Sequence, residues 1–428
     1  MEMLALKDVG IALLDCEHKT PSSSLKGFPY ISIPQLKNGV IDISDARRIS
    51  YNDFLDWTKK VLPQEYDVIL SRRCNPGETA VVPRGMSCAL GQNLVILRSN
   101  GKYIYPPFLR WITRSRQWWL EVNKYINVGA VFESLRCSDI VNFKIPVLPL
   151  LEQQAIAHIL GTLDDKIELN RRQNATLEAM AQAIFKEWFV DFGPVRAKME
   201  GRQPECMSRE IADLFPDRLD SEGKPEGWEW AVLSDCCEIN PKRVLQKNKY
   251  ASYLDMSNMP TTNALPHKWN MRNFTSGMKF MNGDTLIARI TPCLENGKTA
   301  FVDFLKNDEV GWGSTEYIVL RPKSNISPFW GYLLSKTDEF RKFAIQSMTG
   351  TSGRQRVQVD QLADFQIAKA PGTIHNILRI QFDSIVRKLS KNRNEANILI
   401  DIRDTLLPKL ISGELRVPDA EKMVADIV

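Results

Sequence analysis

The sequence predicts an α+β fold: two tandem mixed α/β domains separated by two long antiparallel coiled-coil helices, arranged with pseudo-two-fold symmetry. Three observations predict it. Matching segments recur in the same order at an offset that drifts only from 217 to 223 residues. Each copy opens with short apolar runs separated by Gly, Asn and Pro, the pattern of strands joined by turns. Each copy closes with an apolar stripe in steps of three and four, the pattern of a coiled-coil helix.

Asp67-Val68-Ile69-Leu70-Ser71-Arg72 returns as Asp284-Thr285-Leu286-Ile287-Ala288-Arg289, and Gly77-Glu78-Thr79-Ala80-Val81-Val82 as Gly297-Lys298-Thr299-Ala300-Phe301-Val302. Leu97-Arg98 then matches Leu320-Arg321, Pro107-Phe108 matches Pro328-Phe329, and Phe143-Lys144-Ile145 matches Phe365-Gln366-Ile367. Pro149 matches Pro371. A solenoid repeats every 20–50 residues or so, and a period this long marks duplicated domains instead.

The first domain, residues 1–148, takes its strands from runs such as 30–33, 67–70 and 94–97. Residues 149–192 form the central helix, whose stripe runs Ile156, Leu160, Leu163, Ile167, Asn170, Asn174, Leu177, Ala181, Ile184 and Trp188. At about 1.5 Å per residue, a helix over 151–189 is roughly 60 Å long. Residues 193–226 carry Gly193, Pro194, Gly201, Pro204, Pro216, Gly223 and Pro225 among many charges, and read as a linker with one short helical patch at 208–214. The second domain, 227–370, has matching runs at 285–287 and 317–320. The distal helix, 371–412, carries Leu378, Phe382, Ile385, Leu389, Asn392, Ala396, Leu399 and Leu406, with Arg403 interrupting the pattern. Neither helix can bury its stripe alone, so the two are expected to pack together, with Leu163, Ile167, Asn170, Asn174 and Leu177 facing Ile385, Leu389, Asn392 and Leu399 in the seam. Asn170 and Asn392 hold equivalent positions, where a polar residue fixes register at a cost in stability. Residues 413–428 read as a C-terminal tail without an obvious partner.

Composition excludes several classes. A chain of 428 residues is too long for one ordinary core, and 43% hydrophobic with 25% charged residues argues against disorder. No apolar run approaches the ~18 residues of a membrane helix, and Glu2, Lys7 and Asp8 break a signal-peptide pattern. The net charge of +5 is compatible with nucleic acid without demanding it. Eight scattered cysteines contain no C-x-x-C pair, which points to a reduced, cytoplasmic protein. His18, His158, His267 and His375 are too far apart for a zinc pattern, so no metal site is expected.

Catalytic patterns fail one by one. Gly297-Lys298-Thr299 resembles the end of a phosphate-binding loop, but Pro292 stands where that loop needs its first glycine. Asp217 and Glu222 caricature a nuclease carboxylate set, yet sit in a Pro- and Gly-rich stretch that cannot hold two metals rigidly. Asn75-Pro76-Gly77 and Asn240-Pro241-Lys242 do not match the Asn-Pro-Pro-aromatic turn of an adenine methyltransferase. No catalytic residue is assigned. For binding, the loop Gly350-Thr351-Ser352-Gly353-Arg354-Gln355-Arg356 combines glycines that allow close backbone approach with side chains that read guanine and adenine edges. It reads equally well as a plain hairpin. Arg72, Arg73, Arg289 and Lys298 complete the DNA-binding candidates with Arg354, Gln355 and Arg356, whereas Trp118-Trp119, Trp228 and Trp230 read as core.

Pro149-Leu150-Leu151-Glu152-Gln153-Gln154-Ala155-Ile156-Ala157, followed by Leu163-Asp164-Asp165-Lys166-Ile167, resembles the specificity subunit of type I restriction-modification systems. So does Leu177-Glu178-Ala179-Met180-Ala181-Gln182-Ala183-Ile184-Phe185 with Trp188-Phe189-Val190-Asp191-Phe192. Asp15-Cys16-Glu17-His18-Lys19-Thr20-Pro21 and residues 39–43 resemble the opening of that family's target recognition domains. The resemblance covers nearly the whole chain, specific in the helices and looser in the domains. The second copy departs from it at Gly372-Thr373-Ile374-His375, where a Leu-Glu-Glu-Gln type of sequence is absent.

The resemblance implies two target recognition domains, each reading one half of a split, asymmetric DNA sequence, and helices that act as a ruler for the unread gap. It implies double-stranded DNA and two modification (methyltransferase) subunits as partners, with restriction (endonuclease and translocase) subunits added to that core, and no membrane. Catalysis then lies in the partners, which use S-adenosylmethionine, ATP and Mg2+ and methylate adenine N6. This chain is expected to be a non-catalytic subunit that binds no cofactor itself, in the cytoplasm of a prokaryote. The alternative is a stand-alone coiled-coil DNA-binding or scaffold protein of another defence or methylation system.

Overall fold

The structure, a computed structural model, describes residues 2–17, 19–128, 133–351 and 353–425; His18 of the opening motif and Ser352 of the glycine-arginine loop lie outside the described residues. The chain divides into two compact units, residues 1–166 with 399–428, and residues 167–398. Both long helices contribute to each unit.

The first unit is framed by β1 (Glu2–Ala5), β2 (Ile11–Asp15), β3 (Phe28–Ile31), β4 (Val68–Ser71), β5 (Thr79–Val81), β6 (Ala89–Leu90), β7 (Leu94–Ser99), β8 (Asn127–Val128), β9 (Glu133–Ser134) and β10 (Lys144–Val147), with further two-residue strands at Leu36–Lys37, Val40–Ile41 and Arg48–Ile49. The main sheet is antiparallel in the order β2-β7-β4-β5. Every residue of β4 is buried, as are the first four of β7, so these strands are covered on both faces. That is why they read as unbroken apolar runs instead of alternating ones. β3 runs parallel to β6, β8 and β9 form a hairpin, and β1 pairs with β10, tying the two ends of the domain together. Helices α1 (Pro106–Ile112) and α2 (Arg116–Tyr125) follow the sheet. Ser115 caps α2 by accepting from the Trp118 amide, and the buried Trp118 indole donates to the Gly77 carbonyl at 2.9 Å. Gly77 has φ +97°, and a Cβ there would lie 2.6 Å from Val122, which explains the glycine. The chain then enters α3 (Leu150–Phe189), directly after Pro149.

The second unit begins within α3. Helix α4 (Gly193–Met199) comes next, then β11 (Glu229–Val232), β12 (Cys237–Ile239), β13 (Tyr250–Leu254), β14 (Thr285–Ala288), β15 (Thr299–Phe301), β16 (Gly311–Gly313) and β17 (Tyr317–Pro322). Helices α5 (Trp330–Ser335) and α6 (Asp338–Gln346) precede β18 (Met348–Thr349), β19 (Arg356–Val357) and β20 (Gln366–Lys369). The order β12-β17-β14-β15 repeats that of the first unit, β13 runs parallel to β16, β18 pairs with β19, and β11 pairs with β20. Each of these pairings has its counterpart in the first unit, which is the duplication expressed as topology. α7 (Gly372–Ser412) follows Pro371, and α8 (Val417–Ala425) ends the described chain.

The helix stripes are buried except at Asn174, Leu177, Ile184 and Ile385, which are half-buried. Within the second unit, the Asn174 amide donates to the Leu389 carbonyl at 3.0 Å, and Asn392 donates to the Asn174 side-chain oxygen at 2.9 Å and to Gln173 at 3.2 Å. Further along, Phe189 stacks on His375 with ring centroids 5.5 Å apart, so α3 and α7 run antiparallel there. Asn170 is buried as well, but its amide nitrogen has no partner among the described residues; the polar contact of the seam is Asn174 with Asn392. Arg403 interrupts the stripe because, in the first unit, it reaches Asp164 of α3 at 2.5 Å.

Three expectations need correction. The segment after α3 is packed, not a free linker: Phe192, Val195, Ala197, Ala212 and Phe215 are buried, with Phe215 edge-on to Trp188 at 5.1 Å. Its few large apolar side chains outweigh its many prolines and glycines. The C-terminal residues, expected to be a tail, fold as α8 with Ala420 and Val424 buried. The tryptophan pairs split, with Trp118 and Trp228 in the core and Trp119 and Trp230 exposed.

Candidate nucleic-acid interface

Each main sheet ends in an arginine at the same place. Arg72 follows β4 and donates its amide to the Asn93 carbonyl at 2.9 Å; Arg289 follows β14 and donates to the Glu316 carbonyl at 3.0 Å. On the other side, the Arg72 carbonyl accepts from Leu135 and the Arg289 carbonyl from Val357, both at 2.9 Å. Isolated bridges then join Arg73 to Ser134 and Ile290 to Arg356. In both units, main-chain bonds therefore hold one arginine between the sheet and the neighbouring hairpin. The preceding residue repeats as well: Ser71 donates to the Glu78 carbonyl at 2.9 Å and Ala288 to the Lys298 carbonyl at 3.0 Å.

The side chains on this common frame differ. In the second unit, Glu316 accepts from Arg289 Nε at 3.1 Å, from Arg356 Nε at 3.0 Å, and from Arg356 Nη2 at 2.9 Å. The Arg356 hydrogen bonds, followed by those of Arg289, hold the Glu316 carboxyl below the usual carboxylate range. Arg289 and Arg356 keep 31% and 41% of their side-chain surface, so both remain reachable from solvent. The Gln355 backbone is fixed to Thr291, which accepts its amide at Oγ1 at 3.2 Å and donates to its carbonyl at 3.1 Å. Arg354 is exposed at the hairpin tip, and its carbonyl accepts from Arg356 Nη1 at 3.4 Å. Lys298 is half-buried and spends its ammonium on the Met256 carbonyl at 2.7 Å. Thr299 is buried in β15, and the Lys298 and Thr299 amides donate to the Cys293 and Pro260 carbonyls at 3.0 and 3.1 Å.

In the first unit Asn93 stands where Glu316 stands in the second, and Arg72 has a buried Nε without a partner among the described residues. Arg73 is exposed, and residues 129–132 of the hairpin lie outside the described residues. The structure thus brings Arg289, Arg356 and Gln355 together around one hairpin, and Arg72 and Arg73 around the other. Sequence reasoning missed Glu316. It lies 27 residues from Arg289 and 40 from Arg356, and the one signal available was its place in the duplication, opposite Asn93.

The two carboxylates that caricatured a metal set each have their own cation. Asp217 lies 3.0 Å from Lys198 and Glu222 lies 2.8 Å from Lys224. Among the described residues, no group of three or more His, Cys, Asp and Glu could hold a metal ion, and no helix is long and apolar enough to cross a membrane.

Buried polar groups fasten the domains to the helices. In the first unit Gln153, fully buried, donates to the Tyr103 and Leu148 carbonyls at 2.8 and 2.7 Å and accepts from the Tyr105 amide at 2.8 Å. In the second unit Glu178 accepts from the Tyr332 hydroxyl and from the Ala264 amide at 2.8 Å. His375 occupies the position equivalent to Gln153; burial, then the Lys369 charge, pushes its imidazole down to about 4.

Paired long helices, with two copies of a strand-rich domain that each hold an arginine between a sheet and a hairpin, define a duplicated recognition protein. The family model of the type I restriction modification DNA specificity domain matches residues 1–179 and again 225–371. The chain belongs to this family and is a DNA sequence-recognition subunit. It is 24% identical to the type I restriction enzyme MjaIX specificity subunit of Methanocaldococcus jannaschii, over 97% of this chain and 93% of that one. The HindI specificity subunit of Haemophilus influenzae is 24% identical over 75% and 80%. The EcoAI specificity subunit of Escherichia coli is 39% identical, over 31% of this chain and 23% of its own length. The crystal structure of an S subunit from M. genitalium, 14% identical, shares the fold with a TM-score of 0.53 over 96% of this chain and 95% of that one.

Proposed function

We propose that this chain is the non-catalytic subunit that selects the DNA sequence for a methylating complex, each strand-rich domain reading one half of a bipartite, asymmetric site. The observation that carries the reading is one main-chain frame built twice with different side chains. Arg72 and Arg289 are held by equivalent bonds, while Asn93 faces Glu316 and Glu78 faces Lys298 across the duplication. A repeated frame presents the same backbone geometry to a duplex, and divergent side chains then select different bases.

The partners in this reading are double-stranded DNA and two modification subunits that carry S-adenosylmethionine and methylate adenine N6. Restriction subunits add the ATP- and Mg2+-dependent steps, and the complex works in the cytoplasm of a prokaryote. Arg73, Arg354 and Gln355 are contacts to the DNA from the hairpins and their edges, and α3 and α7 set the unread gap. Co-expression with the cognate modification subunit, followed by mapping of methylated adenines, should return one bipartite motif. Randomly placed or absent methylation would refute the reading. A scaffold without DNA contact would instead show no salt-dependent DNA binding in the assembled complex, whereas phosphate contacts weaken steeply with salt.

A further inference from the structure

Within that reading, we infer that Arg289 reads a guanine in the second half-site and that Glu316 is the positioning residue that sets its guanidinium for that contact. Glu316 takes the Nε of Arg289 at 3.1 Å, which fixes the plane of the guanidinium. The two terminal nitrogens of Arg289 have no partner among the described residues. An arginine held by Nε presents those two nitrogens as a parallel pair of donors, the match for the O6 and N7 acceptors of guanine in the major groove.

Arg356 plays the opposite part. Its Nε and Nη2 both lie on Glu316, and its Nη1 lies 3.4 Å from the Arg354 carbonyl. Its side chain is the more exposed of the two, but its Nε and Nη2 are spent on the carboxylate, so it orients Glu316. The main chain of Arg289 is fixed on both sides, by Glu316 and by Val357. A long, rotamer-rich side chain is thereby ordered before DNA arrives, which lowers the entropy lost on binding. Two guanidiniums and one carboxylate leave the cluster with a net positive charge, so it still attracts the duplex. The first unit lacks this restraint, because Asn93 replaces the carboxylate and Arg72 Nε has no partner among the described residues. The effect therefore belongs to the second half-site alone.

The test maps methylated adenines made by the complex carrying Arg289→Ala, Arg289→Lys or Glu316→Gln, beside the wild type. Both Arg289 variants should lose guanine preference at one position of the second half-site by roughly 5- to 150-fold, with the first half-site and the gap unchanged. Lysine keeps the charge but not the paired donors, so Arg289→Lys should not restore the wild-type motif. Glu316→Gln should relax the same position and no other. The inference is overturned if both Arg289 variants keep the wild-type motif, or if Arg289→Lys restores it. It is equally overturned if methylation falls at every site alike in both, since a phosphate contact or a structural role predicts that instead. Glu316→Gln with an intact guanine preference removes the positioning role. A wild-type complex that yields no bipartite motif would overturn this inference together with the reading it rests on.

Discussion

Gln153 and His375 occupy the same place in the two copies and do different chemistry there. Gln153 satisfies three backbone groups, whereas His375 is buried against Phe189 with its Nε2 lacking a partner among the described residues. The folded imidazole binds its proton only near pH 4, while the unfolded one binds near 6.5. As pH falls below about 6.5 the unfolded chain gains the proton first, so stability drops until about pH 4, by about 3 kcal/mol in all. The difference in denaturant midpoint between the wild type and His375→Gln, followed from pH 7 to pH 4, should show this loss in the wild type alone; parallel curves would contradict it. Asp164 carries a larger share of stability. It lies on Arg110, on Arg403 at 2.5 Å and near Arg114 at 4.0 Å, and burial, followed by the Arg403 charge, already holds Arg114 down to about 10. Asp164→Asn would leave these guanidiniums without their shared carboxylate, at a cost of about 3–5 kcal/mol in urea unfolding. A change within ~1 kcal/mol would show that the cluster is solvated after all. Glu316 did not stand out in the sequence and Asp164 did so only as part of a helix motif, because both act on partners distant along the chain.

At the scale of elements, the helices were the most legible part. A period of three and four, opened by Pro149 and Pro371, is local information, and α3 and α7 begin one residue after those prolines. Strands were legible where both faces are buried, as in β4, β7, β14 and β17, because continuous apolar runs need no partner to be seen. The packed segment after α3 and the helix α8 were not. Their buried residues are few, and those of the packed segment meet side chains outside it, such as Trp188 and Trp228 against Phe215. If α3 and α7 set the gap, removing four residues from each should change the spacer of the methylated motif and leave both half-sites as they were. Altered half-sites with an unchanged spacer would contradict a ruler.

Across the whole molecule, average composition and a net charge of +5 gave little hint of DNA binding. The duplication turned 428 residues into two copies whose frames match and whose side chains diverge, and the resemblance carried by the helix motifs added DNA. The framework of the candidate site was readable from repeated arginines, but its side-chain contacts were not, since Glu316 gains its meaning from pairs across a sheet and a hairpin. The account makes each strand-rich domain an independent reader of half a site. Replacing residues 227–370 with the corresponding domain of a related specificity subunit, and mapping methylated adenines, tests that most directly. The exchanged protein should methylate a motif with the original first half, the original gap and a new second half. An unchanged motif, or one altered in both halves, would contradict it.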